Sequence, residues 1–176
     1  MLRSVHIDQW AERDRRWAQR LYSFSQRRVL LPVLNAASWL GDGVLWCGII
    51  VSLALAGGTQ GRDVAAHMML AALLNLAVYL WLKRRIGRER PYVSCPGIRL
   101  NGRALDQFSF PSGHTLHATT FSMLLIRGYP EAIVVLVPLS VLIAWSRIAL
   151  GLHYPSDVAA GALMGALTGA LLLALY

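Results

Sequence analysis

The stretch VAAGALMGALTGALLLALY, from Val158 to Tyr176, contains no charged residue in nineteen positions. As a helix it has about the length needed to cross the hydrocarbon layer of a bilayer. Gly161, Gly165 and Gly169 recur within it at every fourth position. That small-residue spacing lets membrane helices approach closely, either inside one chain or between the subunits of a homo-oligomer. Val64 to Leu82 is a second charge-free run, and shorter apolar runs occupy Gly43 to Gly58, Pro111 to Ile126, and Ala132 to about Trp145, the last extending toward Leu152. A soluble domain of 176 residues could bury one such helix but hardly all of them. The pattern predicts an all-α fold, a polytopic membrane helical bundle of about five transmembrane helices, with residues 41–176 as the membrane domain.

The first forty residues are different material. Arg3, Arg13, Arg15, Arg16, Arg20, Arg27 and Arg28 stand against Asp8, Glu12 and Asp14, with Trp10, Trp17, Leu21, Tyr22 and Phe24 near a helical period among them. This predicts an amphipathic, interfacial N-terminal helix on an anionic lipid surface. Nucleic acid, which also attracts arginine with aromatics, is set aside because the segment abuts apolar spans. Val29 to Leu40 is apolar but too short to span, and it ends at the turn Gly41-Asp42-Gly43; it reads as interfacial or re-entrant. No removable signal peptide is visible. Cys47 and Cys95 have neither metal-site spacing nor a disulfide framework.

Chemistry concentrates at the ends of the apolar runs. Between Lys83 and Pro91 lie Arg84, Arg85, Arg88 and Arg90, and Lys83 is the only lysine among seventeen basic residues. Such a cluster commonly anchors a helix end to lipid headgroups, yet a lone lysine in an arginine-rich chain hints at a need for a compact, mobile ammonium. Pro111-Ser112-Gly113-His114 opens a helix: proline fits its first turn, the exposed backbone N–H groups favour an anion, and Ser112 and His114 add proton donors. Further on, Arg147, His153 and Asp157 flank a turn broken by Pro155. Arginine presents a donor fork for phosphate oxygens, and a histidine beside an aspartate is a candidate nucleophile or base, although Asp157 would equally serve as a helix cap. Counting crossings puts all three clusters on one face of the membrane. His67 and Asn75, inside the second crossing, read as helix-packing groups, and Pro138 as a kink.

Taken together, Lys83, six residues, Arg90-Pro91; Pro111-Ser112-Gly113-His114; and Ser146-Arg147, five residues, His153, three residues, Asp157 resemble the three-part signature of the type-two phosphatidic acid phosphatase family. The resemblance implies metal-independent hydrolysis of a lipid phosphate monoester or pyrophosphate through a phosphohistidine, with no cofactor. His153 would be the nucleophile, Asp157 its orienting carboxylate and His114 the acid for the leaving oxygen. Lys83, Arg90, Arg147, Ser112 and Gly113 would hold the phosphoryl oxygens. The implied partners are a lipid phosphate, such as undecaprenyl pyrophosphate or a phosphatidate-like lipid, and the surrounding membrane lipids, with no nucleic acid. Two other classes fit the same residues: a vanadate-dependent haloperoxidase-like enzyme, and a non-enzymatic protein that binds anionic lipid. The implied location is the plasma (inner) membrane. Arginine counting points to a cytoplasmic site, whereas the resemblance points to an external one and tips the balance slightly that way.

Overall fold

A computed structural model describes residues 2–175, with side chains from Gln9 onward, so Tyr176 and the side chains of Arg3 and Asp8 lie outside the described residues. The elements are α1 (Leu2–Ser25), α2 (Leu30–Leu40), α3 (Val44–Ala56), α4 (Gly58–Ile86), α5 (Pro91–Ser94), α6 (Gly113–Gly128), α7 (Ile133–Ala149) and α8 (Pro155–Ala174). No strand occurs among the described residues. The all-α membrane bundle is therefore as its apolar runs dictate.

The segments Gly58–Ser94, Pro130–Ala149 and Pro155–Ala174 are each long and apolar enough to cross a membrane, and α2 with α3 makes a fourth candidate as a pair bent by 46°. At 29 residues, α4 runs for about 43 Å, well beyond a hydrocarbon core of roughly 30 Å. Its last turn, Lys83 to Arg85, therefore reaches headgroup level before Gly87 ends the helix in the left-handed region at φ 60°. The remaining pass, α6, has only 16 residues. It is the most enclosed helix of the bundle, burying His114, Leu116, Ala118, Thr120, Phe121, Ser122, Leu124 and Leu125 among its neighbours. A helix surrounded by protein needs no apolar outer face, and one that starts at the floor of a pocket need not reach the surface. Of the five passes expected from sequence, three meet the length and hydropathy of a span and the bent α2–α3 pair makes a fourth, while the fifth, α6, is a 16-residue helix that falls short of one.

Val29 to Leu40 packs against the bundle. As α2 it buries Leu34 beside Ala149, Leu150 and Leu152 at the end of α7, then meets α3 at the Gly41-Asp42-Gly43 elbow. Gly43 takes φ 110°, a conformation that glycine adopts without strain. Below the elbow, Trp46 joins Val64, Met68, Phe121, Leu124, Ile143 and Leu172 in the main core.

The α6–α8 contact sets the spacing of the bundle. A Cβ placed on Gly161 would lie 2.5 Å from the Ser112 carbonyl oxygen, one on Gly165 2.5 Å from that of Leu116, and one on Gly169 2.9 Å from Met123 Sδ. All three glycines are buried against α6. Of the two uses open to this stripe, the internal one is what the fold shows. Asn75 is likewise a packing group: its amide donates to Thr120 Oγ1 (3.1 Å), whose hydroxyl faces the Gly165 carbonyl at 2.9 Å.

Helix α1 is held on the loop face of the bundle. Ala18, Tyr22 and Ser25 are buried, with Tyr22 in a cluster with Cys95, Ile98 and Tyr154. Trp10, Trp17 and Phe24, spaced by seven, point outward instead, each under an arginine three positions on: Arg13, Arg20 and Arg27 stand 5.7, 5.6 and 5.2 Å from the ring centroids. The aromatics that share a helical period in the sequence thus divide between an inner face and an outer stripe.

Candidate active site

Four helix ends converge on one pocket: the last turns of α4 and α7 and the first turns of α6 and α8. At the end of α7, the Arg147 carbonyl accepts the backbone N–H groups of Leu152 and His153, both at 3.0 Å, folding the chain back tightly. Gly151, at φ 76°, makes that return possible. It leaves His153 just 2% exposed, with Nε2 3.4 Å from Arg90 Nη1 and Nδ1 3.7 Å from Asp157 Oδ2. The latter is an ion-pair separation rather than a formed hydrogen bond. Burial, and then the positive charges of Arg147, Arg90 and Lys83, keep the imidazole well below its ordinary pKa. At neutral pH the ring is uncharged and holds a lone pair.

Asp157 is fully buried and does two things at once. Its Oδ2 accepts the Tyr154 backbone N–H at 2.8 Å, closing a capping box at the start of α8, and its Oδ1 accepts from Arg88 Nη1 at 2.8 Å. Of the two uses the sequence leaves open for this carboxylate, the cap is formed, and the same oxygen lies 3.7 Å from His153 Nδ1.

Lys83, Arg90 and Arg147 are buried in a bundle where charge is expensive. Lys83 donates to Asp106 and to the Phe108 carbonyl. Arg90 donates from Nη2 to Asp106 Oδ1 (2.8 Å), from Nε to the Asp106 carbonyl (3.1 Å) and from Nη1 to the Leu152 carbonyl (3.0 Å). Arg147 donates to Ser38 Oγ, while its Nε has no hydrogen-bond partner. Burial alone would raise the Asp106 carboxyl, but hydrogen bonds from Lys83 and Tyr79 and the charges of Lys83 and Arg90 hold it down to about 2. Lys83 and Arg90 share the Asp106 carboxylate, whereas Arg147 is bonded to a neutral hydroxyl, so these three donors carry positive charge that Asp106 alone does not offset.

The Pro-Ser-Gly-His segment enters the same pocket, in a slightly different way from that predicted. The Ser112 N–H donates to the Asp157 carbonyl at 3.1 Å, tying α6 to α8, and the Ser112 hydroxyl pairs with Thr115 Oγ1 at 3.0 Å. Gly113 packs where a Cβ would come within 2.7 Å of the Tyr79 ring. His114, 8% exposed, is bonded through Nε2 to Asp42 Oδ1 at 2.6 Å.

The fold brings all eight residues singled out by sequence into one neighbourhood around His153, and two of them, Gly113 and His114, also line an apolar cavity. Four carboxylate and guanidinium partners escape a reading of sequence: Asp42, Asp106, Arg88 and Asp14. Asp106 had one signal, being the only acidic residue between Glu89 and Glu131. Asp42 had its flanking glycines. Arg88 joins Asp157 to Asp14 of α1, with Nη2 to Asp14 Oδ2 at 2.6 Å, and Asp14 Oδ1 accepts the Ser156 backbone N–H at 3.1 Å. Nothing local to Asp14 announces a partner 142 positions away.

A buried histidine, a carboxylate behind it and buried cations around it thus lie together at the helix ends of an all-helical membrane scaffold. Residues 64–176 match the model of the PAP2 superfamily, and the chain belongs to that superfamily. It is 40% identical over 102 residues to a decaprenylphosphoryl-5-phosphoribose phosphatase of Mycobacterium tuberculosis, across 57% of this chain and 54% of that protein, so it spans about half the length of this relative. The crystal structure of LpxE from Aquifex aeolicus superposes with a TM-score of 0.77 at 28% identity, covering 89% of this chain and 92% of that one. A transmembrane PAP2-type phosphatidylglycerolphosphate phosphatase from Bacillus subtilis shares the fold, with a TM-score of 0.74 at 22% identity over 98% of this chain and 88% of that one.

Proposed function

We propose that this protein is an integral membrane lipid phosphatase that hydrolyses a lipid phosphate monoester or pyrophosphate through a phosphohistidine. The observation that carries the proposal is the neutral, buried His153 with Nε2 facing Arg90 and Nδ1 facing Asp157. Its Nε2 lone pair attacks phosphorus; Asp157 stabilises the imidazolium that forms. Lys83, Arg90 and Arg147, with the Ser112-Gly113 turn, hold the equatorial oxygens, supplying the charge stabilisation that phosphoryl transfer chiefly requires. His114 donates a proton to the leaving oxygen as the ester P–O bond breaks. Water then cleaves the P–N bond, giving up its proton to His114 and restoring free His153.

The lipid tail has a place beside His114. An apolar cavity of about 340 Å³, lined by Trp46, Ile50, Leu76, Tyr79 and Phe121, opens between α3, α4 and α6 and includes His114 on its wall. A tail seated there puts its ester oxygen next to the acid. The outward stripe of Trp10, Trp17 and Phe24, with its arginines, suits α1 to the headgroup layer of anionic lipids.

We place the site on the external face of the plasma membrane, following the family pattern against the arginine count. With Cys47 replaced by serine, cysteines introduced at the exposed positions Gln60 and Gln107 report the two ends of the bundle to an impermeant label in intact cells. Labelling at Gln60→Cys alone would overturn the placement. The activity itself is tested by phosphate release from defined lipid phosphates in proteoliposomes. Release from at least one lipid, lost in His153→Ala, is expected; a folded protein that releases phosphate from none of them refutes the reading.

A further inference from the structure

His114 sits where an acid is needed and where a positive charge is hard to keep. It is 8% exposed, and the ionisable groups that face it are Arg147 from α7, His117 from its own helix and Asp42 from the elbow between α2 and α3. His117 is already engaged, its Nδ1 lying 2.9 Å from the Gly113 carbonyl. Asp42 is therefore the one carboxylate in direct contact with the ring, at 2.6 Å between Oδ1 and Nε2, with both side chains nearly buried at 11% and 9% exposure.

The elbow is shaped for this contact. A Cβ on Gly41 would lie 2.8 Å from His114 Cδ2 and 3.0 Å from Ile143 Cγ2, so only glycine lets this stretch of backbone approach the imidazole. Gly43 turns the chain at φ 110° immediately after Asp42. One turn earlier on the same elbow, Ser38 receives the guanidinium of Arg147. The break between α2 and α3 thus closes the pocket as a fourth segment, beside the basic turn, the Pro-Ser-Gly-His start and the Arg-His-Asp turn. Asp42 and His114 also both line the apolar cavity assigned to the lipid tail, so the pair stands on the side from which the leaving oxygen departs.

We infer that Asp42 is a positioning residue for His114: its carboxylate holds the imidazolium form against Arg147 and aims the ring at the leaving oxygen, making the Asp42–His114 pair the acid unit of the reaction. This rests on the phosphatase reading above. In the first half-reaction the N–P bond to His153 forms, the P–O bond to the lipid breaks, and the His114 proton passes to the lipid oxygen while Asp42 remains ionised. In the second, the attacking water returns a proton to His114. A short charge-assisted bond of this kind stabilises the charged ring in a poorly solvated site. General acid assistance of about 10²–10⁴-fold is what stands to be lost.

The test compares leaving groups. With Asp42→Asn, kcat/KM for a lipid alkyl phosphate, which reports the first half-reaction alone, should fall on the order of 100-fold, while that for an aryl phosphate, whose phenolate leaves without a proton, should change by less than about 5-fold. Asp42→Glu should recover part of the lipid rate. Gly41→Ala, which displaces the ring rather than its partner, should show the same selective loss and serves if the asparagine variant folds poorly. A readout independent of turnover is the ring-proton NMR of histidines in detergent micelles. The hydrogen-bonded His114 N–H should resonate far downfield and move upfield in Asp42→Asn. Equal losses on both substrates, no loss on either, or a His114 signal indifferent to Asp42 each overturns the inference. A wild-type protein that shows the downfield signal yet releases no phosphate would sink the phosphatase reading while leaving the pairing in place.

Discussion

Replacing Gly161 by alanine separates spacing from chemistry, because Gly161 contacts the pocket only through the backbone of α6. The added Cβ would meet the Ser112 carbonyl oxygen at 2.5 Å, whereas ordinary contact begins at 3.4 Å, so α8 and α6 must part by about 0.9 Å there. The Ser112 N–H to Asp157 carbonyl bond, now 3.1 Å, would open to roughly 4 Å and be lost. Overpacking of this size costs about 1–3 kcal/mol of stability. A misplacement near 1 Å in the site costs about 100-fold in rate, or roughly 2.7 kcal/mol of barrier. Gly169→Ala is the control: it meets the flexible Met123 thioether at 2.9 Å, which can swing aside, so stability should drop by less than about 1 kcal/mol with turnover unchanged. Thermal unfolding in detergent and phosphate release from lipid vesicles, measured on both variants, decide the matter. Full turnover in Gly161→Ala, or an equal loss in Gly169→Ala, would show that the glycine stripe does not set the site's spacing.

The remaining expectations are as follows. Arg88→Ala should lower kcat about 10-fold or more by removing a charged hydrogen bond to Asp157, typically about 1.5–3 kcal/mol, and should expose α1 to proteolysis near Asp14; unchanged kcat and protease resistance would refute the bridge. Because the folded His153 titrates well below an ordinary histidine, the acid limb of kcat/KM should lie below about pH 6.5, with activity retained as pH falls through that value; a midpoint at or above it contradicts a neutral buried nucleophile. Asp106→Asn should tighten inhibition by product phosphate about 10-fold, since Lys83 and Arg90 lose their resident carboxylate, and weaker inhibition would reverse that account. Activity should survive chelation and be blocked by vanadate; loss in chelator that magnesium restores would refute a pocket whose cations are all side chains.

How much of this was legible follows from where each interaction sits in the chain. The apolar runs of α4, α7 and α8 declare their spans because lipid must be met by a continuous apolar helix. The eight singled-out residues could be found because each cluster is local: a basic turn, a helix start and a histidine turn, each with donors whose chemistry is visible in a few positions. What remained hidden is pairwise and distant. Asp42 reads as a turn residue until α6 brings His114 to it, 72 positions on. Asp106 reads as a loop charge until it is seen between Lys83 and Arg90. The eleven residues of α2 are too few to span, and only the 46° junction with α3 shows that they pair with the next helix as a broken or re-entrant pass.

The bridge from Asp14 through Arg88 to Asp157 also bears on the order in which the pocket comes into being. Asp14 and Arg88 are bonded to each other at 2.6 Å as well as to the start of α8. Both exist before Ser156, which follows Arg88 by 68 positions, a gap of roughly 3–14 s at ordinary rates of synthesis. The amino-terminal helix can therefore settle against the end of α4 first and offer α8 a finished seat, a carboxylate for its leading N–H and a guanidinium for its aspartate. His153 and Asp157 are then the last of these residues to be made, so a nascent chain stopped short of residue 153 has Asp14 and Arg88 but neither the histidine nor the carboxylate they are to receive.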